Sequence, residues 1–203
     1  MTDRRDAFLS AAGSFERQVA RIPVDSLTGP GLGDWDLRAL VGHTARSLVT
    51  VETYLDTPAE VEIPTAAAYY LAIAPMLAGD ERDAVTERGR QAGASLGDDP
   101  ARHVADLASR VAARLTSYDD GYGLTTIAGG MELGEYLRTR TFELVVHSLD
   151  IERACGVAAG LEPAALTDAA TLAAEVSVLT SQGPELVLAL SGRGPLPPGF
   201  SVV

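Results

Sequence analysis

Residues 139–156 read TRTFELVVHSLDIERACG, and the placing of apolar residues in and around this stretch decides the fold. At about 100° per residue, Leu133, Leu137, Leu144, Ile151 and Cys155 fall on one stripe of a helix, with Phe142, Val145, Val146 and Leu149 on the far side. A helix that is apolar on two sides needs cover on both, so the pattern predicts a central helix from about Glu132 to Cys155. Gly156 is suited to end it. Glu143 and His147, about 40° apart on the same wheel, share the flank between the stripes. Residues four apart stack one turn above the other, so their side chains can converge. Tyr136 and Arg140 precede them on nearly the same line, and Asp150 follows one turn later.

Other helices are expected around it. Phe8, Ala12, Phe15, Val19 and Ile22 recur at helical spacing until Pro23 forbids continuation. LTGPGLGD (27–34) is a loop by its Gly and Pro content. A second helix opens at DWDLRALVGHTARSLVTVETYLD (34–56), capped by Asp36, with Trp35 and Leu40 at the spacing of a hydrophobic staple. Leu37, Leu40, Val51 and Leu55 mark its buried stripe, and His43 borders it beside Ser47 and Tyr54. Residues 57–64 read as a loop. A short helix in 65–74 stops near Pro75, and another lies in 81–94. Asp99 caps, and Pro100 opens, a helix whose core face is Val104, Leu107, Val111 and Leu115. YDDGYGLTTIAGG (118–130) reads as a long glycine-containing connection suited to line a site and, as a guess, a bound thiol. A further helix spans about Pro163 to Thr180. PELVLALSGR (184–193) is too short to assign to helix or strand by period, and the tail from about 192 is irregular. Strand-like alternation is nearly absent. The expected class is all-α: a four-helix bundle with short accessory helices, as a single domain over 1–203.

Composition narrows the function. Hydrophobic residues make up 46% of 203 residues and aromatics only 5%, so the core is built from Ala, Val and Leu. The formal charge of −12 argues against nucleic acid and anionic membrane as partners. No run is long enough to span a bilayer, and the charged start MTDRRDAF lacks a secretory signal's apolar stretch; the expectation is a cytoplasmic protein. All 16 basic residues are Arg. Cys155 is the sole cysteine, which excludes an internal disulfide, and its position on the apolar side reads as a small buried hydrophobe rather than a nucleophile.

Two readings of Glu143 and His147 stay open at this level. They fit the wet edge of a helix, where such a pair contributes a few tenths of a kcal/mol, roughly. They also fit a metal site. The chain has three histidines. His103 follows a helix cap among charged neighbours and is expected to be exposed, whereas His43 and His147 sit mid-helix beside apolar stripes, where a polar ring needs a partner. One cation would satisfy both together with Glu143. Two imidazoles and a carboxylate make a catalytic-type zinc set with one position open, and iron, nickel or manganese accept similar donors.

The segments DWDLRALVGHTARSL (34–48) and RTRTFELVVHSLDI (138–151), with the closing ALSGRGPLPPGFSVV (189–203), resemble the mycothiol-dependent maleylpyruvate isomerase family within the wider DinB-like metal-binding bundles. By that resemblance His43, Glu143 and His147 match the family's metal triad, held at one end of a cavity in a four-helix bundle. The resemblance implies a divalent metal, zinc by preference, and mycothiol as cosubstrate. The activity implied is a thiol S-transferase or a maleylpyruvate-isomerase-like cis-trans isomerase acting on an electrophilic small molecule. In the isomerase, addition of the thiol allows rotation about the former double bond, and elimination gives the trans product and regenerates the thiol. Asp150 is expected to orient His147 or a nearby Arg. Arg140 is expected either to hold a substrate carboxylate or to pair with Glu143. Isomerase members often carry an additional C-terminal domain, before which this chain is expected to stop. A non-catalytic metal- or small-ligand-binding DinB-like stress-response module and a plain helical interaction protein are the alternatives, and a homodimer is allowed.

Overall fold

The computed structural model describes residues 3–77 and 81–202. Its helices are α1 (Arg4–Val19), α2 (Leu37–Tyr54), α3 (Ala66–Leu77), α4 (Glu81–Ser95), α5 (Pro100–Leu115), α6 (Leu133–Cys155), α7 (Pro163–Leu179) and α8 (Gly183–Leu190), with a 3-10 turn at Val24–Thr28. α6 packs against α1 and α2, and both of these pack against α5, so the four helices close a ring. The architecture is an all-α, DinB-like four-helix bundle. α4 lies along α2, α7 covers α6 and α1, and α8 packs on α7. No helix among the described residues is long and apolar enough to cross a membrane.

The central helix is covered on both sides. Leu133, Leu137, Leu144 and Ile151 are fully buried, and Phe142 and Val145 nearly so. Leu149, at the end of the second stripe, is 38% exposed. Gly156 adopts φ 74° at the C-cap, a left-handed conformation that costs glycine nothing. Asp36 caps α2 by accepting from the Ala39 N–H at 2.7 Å. α3 continues past Pro75 to Leu77 instead of stopping before it. The proline stands in the last turn, so the hydrogen bond its missing N–H forfeits lies near the helix end and the ladder before it is kept.

The connection 118–130 contains structure that the sequence pattern did not suggest. Gly123–Thr126 (β1) and Gly129–Glu132 (β2) form an antiparallel hairpin, with Leu124 opposite Met131. Both of these side chains are fully buried. The segment expected as a plain loop at 57–64 pairs with the hairpin: Ala59 donates to the Gly123 carbonyl and Glu62 to the Gly130 carbonyl. A Cβ at Gly130 would collide with the Glu60 carbonyl, so glycine is what permits this approach. The hairpin sits at the start of α6, about 15 Å along the axis from Glu143 at a rise of about 1.5 Å per residue.

α2 and α4 approach closely because Gly42 meets the backbone of Ala92 and Gly93. Gly42→Ala is expected to destabilise the fold by about 1–3 kcal/mol through overpacking, against about 1 kcal/mol of helix propensity gained. Urea unfolding monitored by circular dichroism would measure it, and an unchanged midpoint would contradict the packing account.

Candidate metal centre

α2 and α6 are neighbours in the ring, and their facing sides carry the polar residues that interrupt the apolar stripes. His43 from α2 and Glu143 and His147 from α6 each offer one ligand atom, and these atoms lie within 4.8 Å of one another. His147 Nε2 is 3.3 Å from Glu143 Oε2. The two imidazoles meet edge to face with centroids 4.9 Å apart. The remaining histidine, His103, lies on α5 outside this group and is half-buried rather than exposed.

Each of the three side chains is held by a neighbour. His147 Nδ1 donates to Asp150 Oδ2 at 3.1 Å, which leaves Nε2 toward Glu143. The Tyr70 hydroxyl donates to Glu143 Oε1 at 2.8 Å, leaving Oε2 on the histidine side. Trp35 lies against His43 with centroids 4.5 Å apart, and its indole N–H donates to the Thr86 carbonyl on α4. Gly89 makes room for that indole. His43 Nδ1 is buried with no hydrogen-bond partner. Two imidazoles and a carboxylate whose candidate ligand atoms converge, with the far nitrogen of His147 fixed by Asp150, form a donor set that suits a divalent cation.

Electrostatics separates the two histidines. Burial, and then the charge on His147, push His43 down to about 4, so its ring is neutral at pH 7. For His147, burial works against the charged form, but Asp150 and Glu143 outweigh it and hold it up at about 9. Burial alone would raise Glu143; the hydrogen bond from His147 and the charge of Arg140 overcome it and bring the carboxyl down to about 2. Without a cation the centre is thus a carboxylate bonded to an imidazolium, with a neutral imidazole beside them.

Arg140 does not pair with Glu143. Its Nε donates to Thr139 Oγ1 at 3.0 Å, and its guanidinium carbon stands 5.0 Å from the Tyr136 ring centroid and 5.7 Å from that of Tyr69. Tyr69 and Tyr70 were missed as site residues. The signal was the tyrosine pair inside the small apolar run of α3, since a buried phenol needs a polar partner. Cys155 is half-buried, and its thiol donates to the Ile151 carbonyl.

No curated protein and no solved structure matches the chain. Residues 8–152 match the family profile described as the mycothiol maleylpyruvate isomerase N-terminal domain, a span that includes His43, Tyr70, Arg140, Glu143, His147 and Asp150 and ends before α7. With most of its length matched, the chain belongs to the mycothiol maleylpyruvate isomerase N-terminal domain family.

Proposed function

We propose that the protein is a metal-dependent enzyme that uses mycothiol as cosubstrate, acting as a thiol S-transferase or as a cis-trans isomerase of the maleylpyruvate type. The single observation that carries this reading is the convergence of His43, Glu143 and His147 within 4.8 Å on two facing helices. These residues would hold the cation, and zinc suits two imidazoles and a carboxylate. When bound, such a cation supplies Lewis acidity, favouring the thiolate over the thiol at neutral pH. The thiol has to come from solution, since the sole cysteine donates to its own helix.

The chain's own residues prepare the place. Asp150 accepts the hydrogen bond from His147 Nδ1–H, so that loss of the other ring proton leaves a lone pair on Nε2 beside Glu143. Tyr70 occupies the other oxygen of Glu143 and limits how the carboxylate can turn. Trp35 covers one side of His43, keeping water from that ring.

The test has two parts. The purified protein is expected to hold about one zinc per chain, and to consume mycothiol with at least one member of a panel of electrophiles in a zinc-dependent manner. Tight zinc binding with no thiol-dependent reaction across the panel would leave the non-catalytic binding module as the better reading. Tyr70→Phe removes one outer hydrogen bond and is expected to weaken zinc binding by roughly tenfold while leaving the fold intact. Competition with a chelating indicator would measure this, and unchanged affinity would show that Tyr70 does not steady Glu143.

A further inference from the structure

The three candidate ligands are not held alike. Asp150 accepts from His147 Nδ1 and the Tyr70 hydroxyl donates to Glu143, so each of these two side chains has a polar neighbour that fixes its direction. His43 makes no hydrogen bond with any described residue, and its Nδ1 is buried without a partner. A ligand histidine is ordinarily turned by a hydrogen bond to its far nitrogen. For His43 packing has to do this, and the ring lying along it is Trp35, with centroids 4.5 Å apart and planes 35° from parallel.

Trp35 is itself seated by α4. Its indole N–H donates to the Thr86 carbonyl at 2.9 Å. A Cβ at Gly89 would collide with three atoms of the indole, so glycine is what lets the ring lie against this helix. One turn later α4 touches α2 directly: a Cβ on Gly42, the residue before His43, would run into the Gly93 backbone. Glycine inside a helix lowers its stability, yet in the part of α4 whose side chains are described, 84–95, the buried residues are Gly89 and Gly93. Leu96 adds one buried apolar side chain just past its end. Arg38 of α2 adds hydrogen bonds from Nη1 to the carbonyls of Gly93 and Gly97. A helix that buries so little apolar surface of its own belongs to the part of a structure that opens locally.

We infer that Trp35 is the positioning residue for His43, and that α4, by seating Trp35, is coupled to cation binding: docked α4 holds the His43 ring toward Glu143 and His147, and opened α4 releases it. The inference rests on the proposed metal centre. None of the three ligands lies on α4, so the coupling runs through the indole. By reciprocity, a cation on His43 steadies α4 by the same factor by which docked α4 raises the affinity for the cation.

With three histidines in the chain, the His43 ring signals can be separated by proton NMR, and an indole lying on that ring shifts them upfield. In the zinc-free protein the shift is expected in the wild type and is expected to be lost in Gly89→Ala. Zinc affinity, measured by competition with a chelating indicator, is expected to fall by roughly tenfold in Trp35→Phe and in Gly89→Ala, the lower end for a residue that orients a ligand. Alanine is the better helix former, so a loss at position 89 comes from the clash and not from a weaker helix. The double variant should bind zinc no more weakly than Trp35→Phe alone, because the smaller ring leaves room for the Cβ. Additive losses would overturn the inference, as would wild-type affinity in a folded Trp35→Phe. Hydrogen exchange on the wild type reads the reciprocal effect. Adding zinc is expected to slow the α4 amides by roughly tenfold more than those of α5, which also carries no ligand. Equal slowing of the two helices would overturn the coupling. Should Gly89→Ala fail to fold, Trp35→Phe and the exchange rates decide. A protein that takes no zinc, yet loses the His43 shift in Gly89→Ala, refutes the metal centre and the coupling while the seating of Trp35 stands. A protein that binds zinc equally in all variants refutes this inference alone.

Discussion

His43→Ala and His147→Ala are each expected to abolish retention of zinc through purification, with affinity falling by roughly a hundredfold or more, beyond the about 10–100-fold expected for an outer partner such as Asp150. Each substitution removes one of the three donors that converge within 4.8 Å among the described residues. The remaining pair differs in the two cases. Without His147, the Glu143 Oε2 atom loses its neighbour at 3.3 Å, and Asp150 loses the ring it accepts from at 3.1 Å. Without His43, the bonded pair on α6 persists, and no ligand bridges to α2. Asp150→Ala should fall between wild type and these variants. Proton counting gives an independent reading. His147 keeps its proton up to about pH 9 in the cation-free protein, while His43 is already neutral above about pH 4. Ligation therefore has to displace one proton at pH 7, and apparent zinc affinity should rise about tenfold per pH unit toward pH 9 and level off above it. Calorimetry in buffers of different ionisation enthalpy measures the proton release. Zinc retained at one per chain in a folded His43→Ala protein would remove the three-donor centre.

The helical framework could be read from residue spacing because the bundle is local. Each helix shows its apolar stripe, its cap or its terminating glycine within the helix itself, as Asp36 and Gly156 do. The convergence of His43 with Glu143 and His147 could not be so derived, since it depends on which helices are neighbours across about a hundred residues of chain. Scarcity of histidine and the family resemblance pointed there; periodicity did not. The hairpin at 123–132 stayed hidden for a related reason. Its strands have four residues each, too few for alternation to register, and its pairing with the 57–63 segment is a tertiary event. Tyr70 escaped because a tyrosine among alanines looks like core, and only its hydroxyl contact with Glu143 distinguishes it.

Arg138→Met is expected to cost about 3–5 kcal/mol of stability, the penalty for leaving buried carboxylates without their cation. Arg138 lies two residues before Arg140 and is 8% exposed. Its Nε donates to Asp168 Oδ1 at 3.1 Å, and its two terminal nitrogens donate to Glu175 at 2.9 and 3.0 Å. Glu135 lies 3.7 Å away and also receives Arg4. Asp168 Oδ2 already lacks a partner, and burial holds the Asp168 carboxyl above its ordinary pKa despite Arg138. Removing the guanidinium raises it further. A carboxyl whose folded pKa exceeds its unfolded value favours the fold when protonated, and that contribution is lost as pH rises through the folded pKa. The deficit of Arg138→Met should therefore be larger at pH 8 than at pH 5, which denaturant melts at the two values would show; a deficit independent of pH would assign the loss to packing. The effect should also reach the centre. Glu135 accepts the Ala66 N–H at the start of α3, the helix that brings Tyr69 to Arg140 and Tyr70 to Glu143. With Arg138 gone, Glu135 is less firmly held, and α3 loses an anchor at its first turn. Zinc affinity in Arg138→Met should then fall toward that of Tyr70→Phe, although Arg138 touches no proposed ligand; Glu175→Gln, on a carboxylate 40% exposed, should change neither stability nor affinity appreciably.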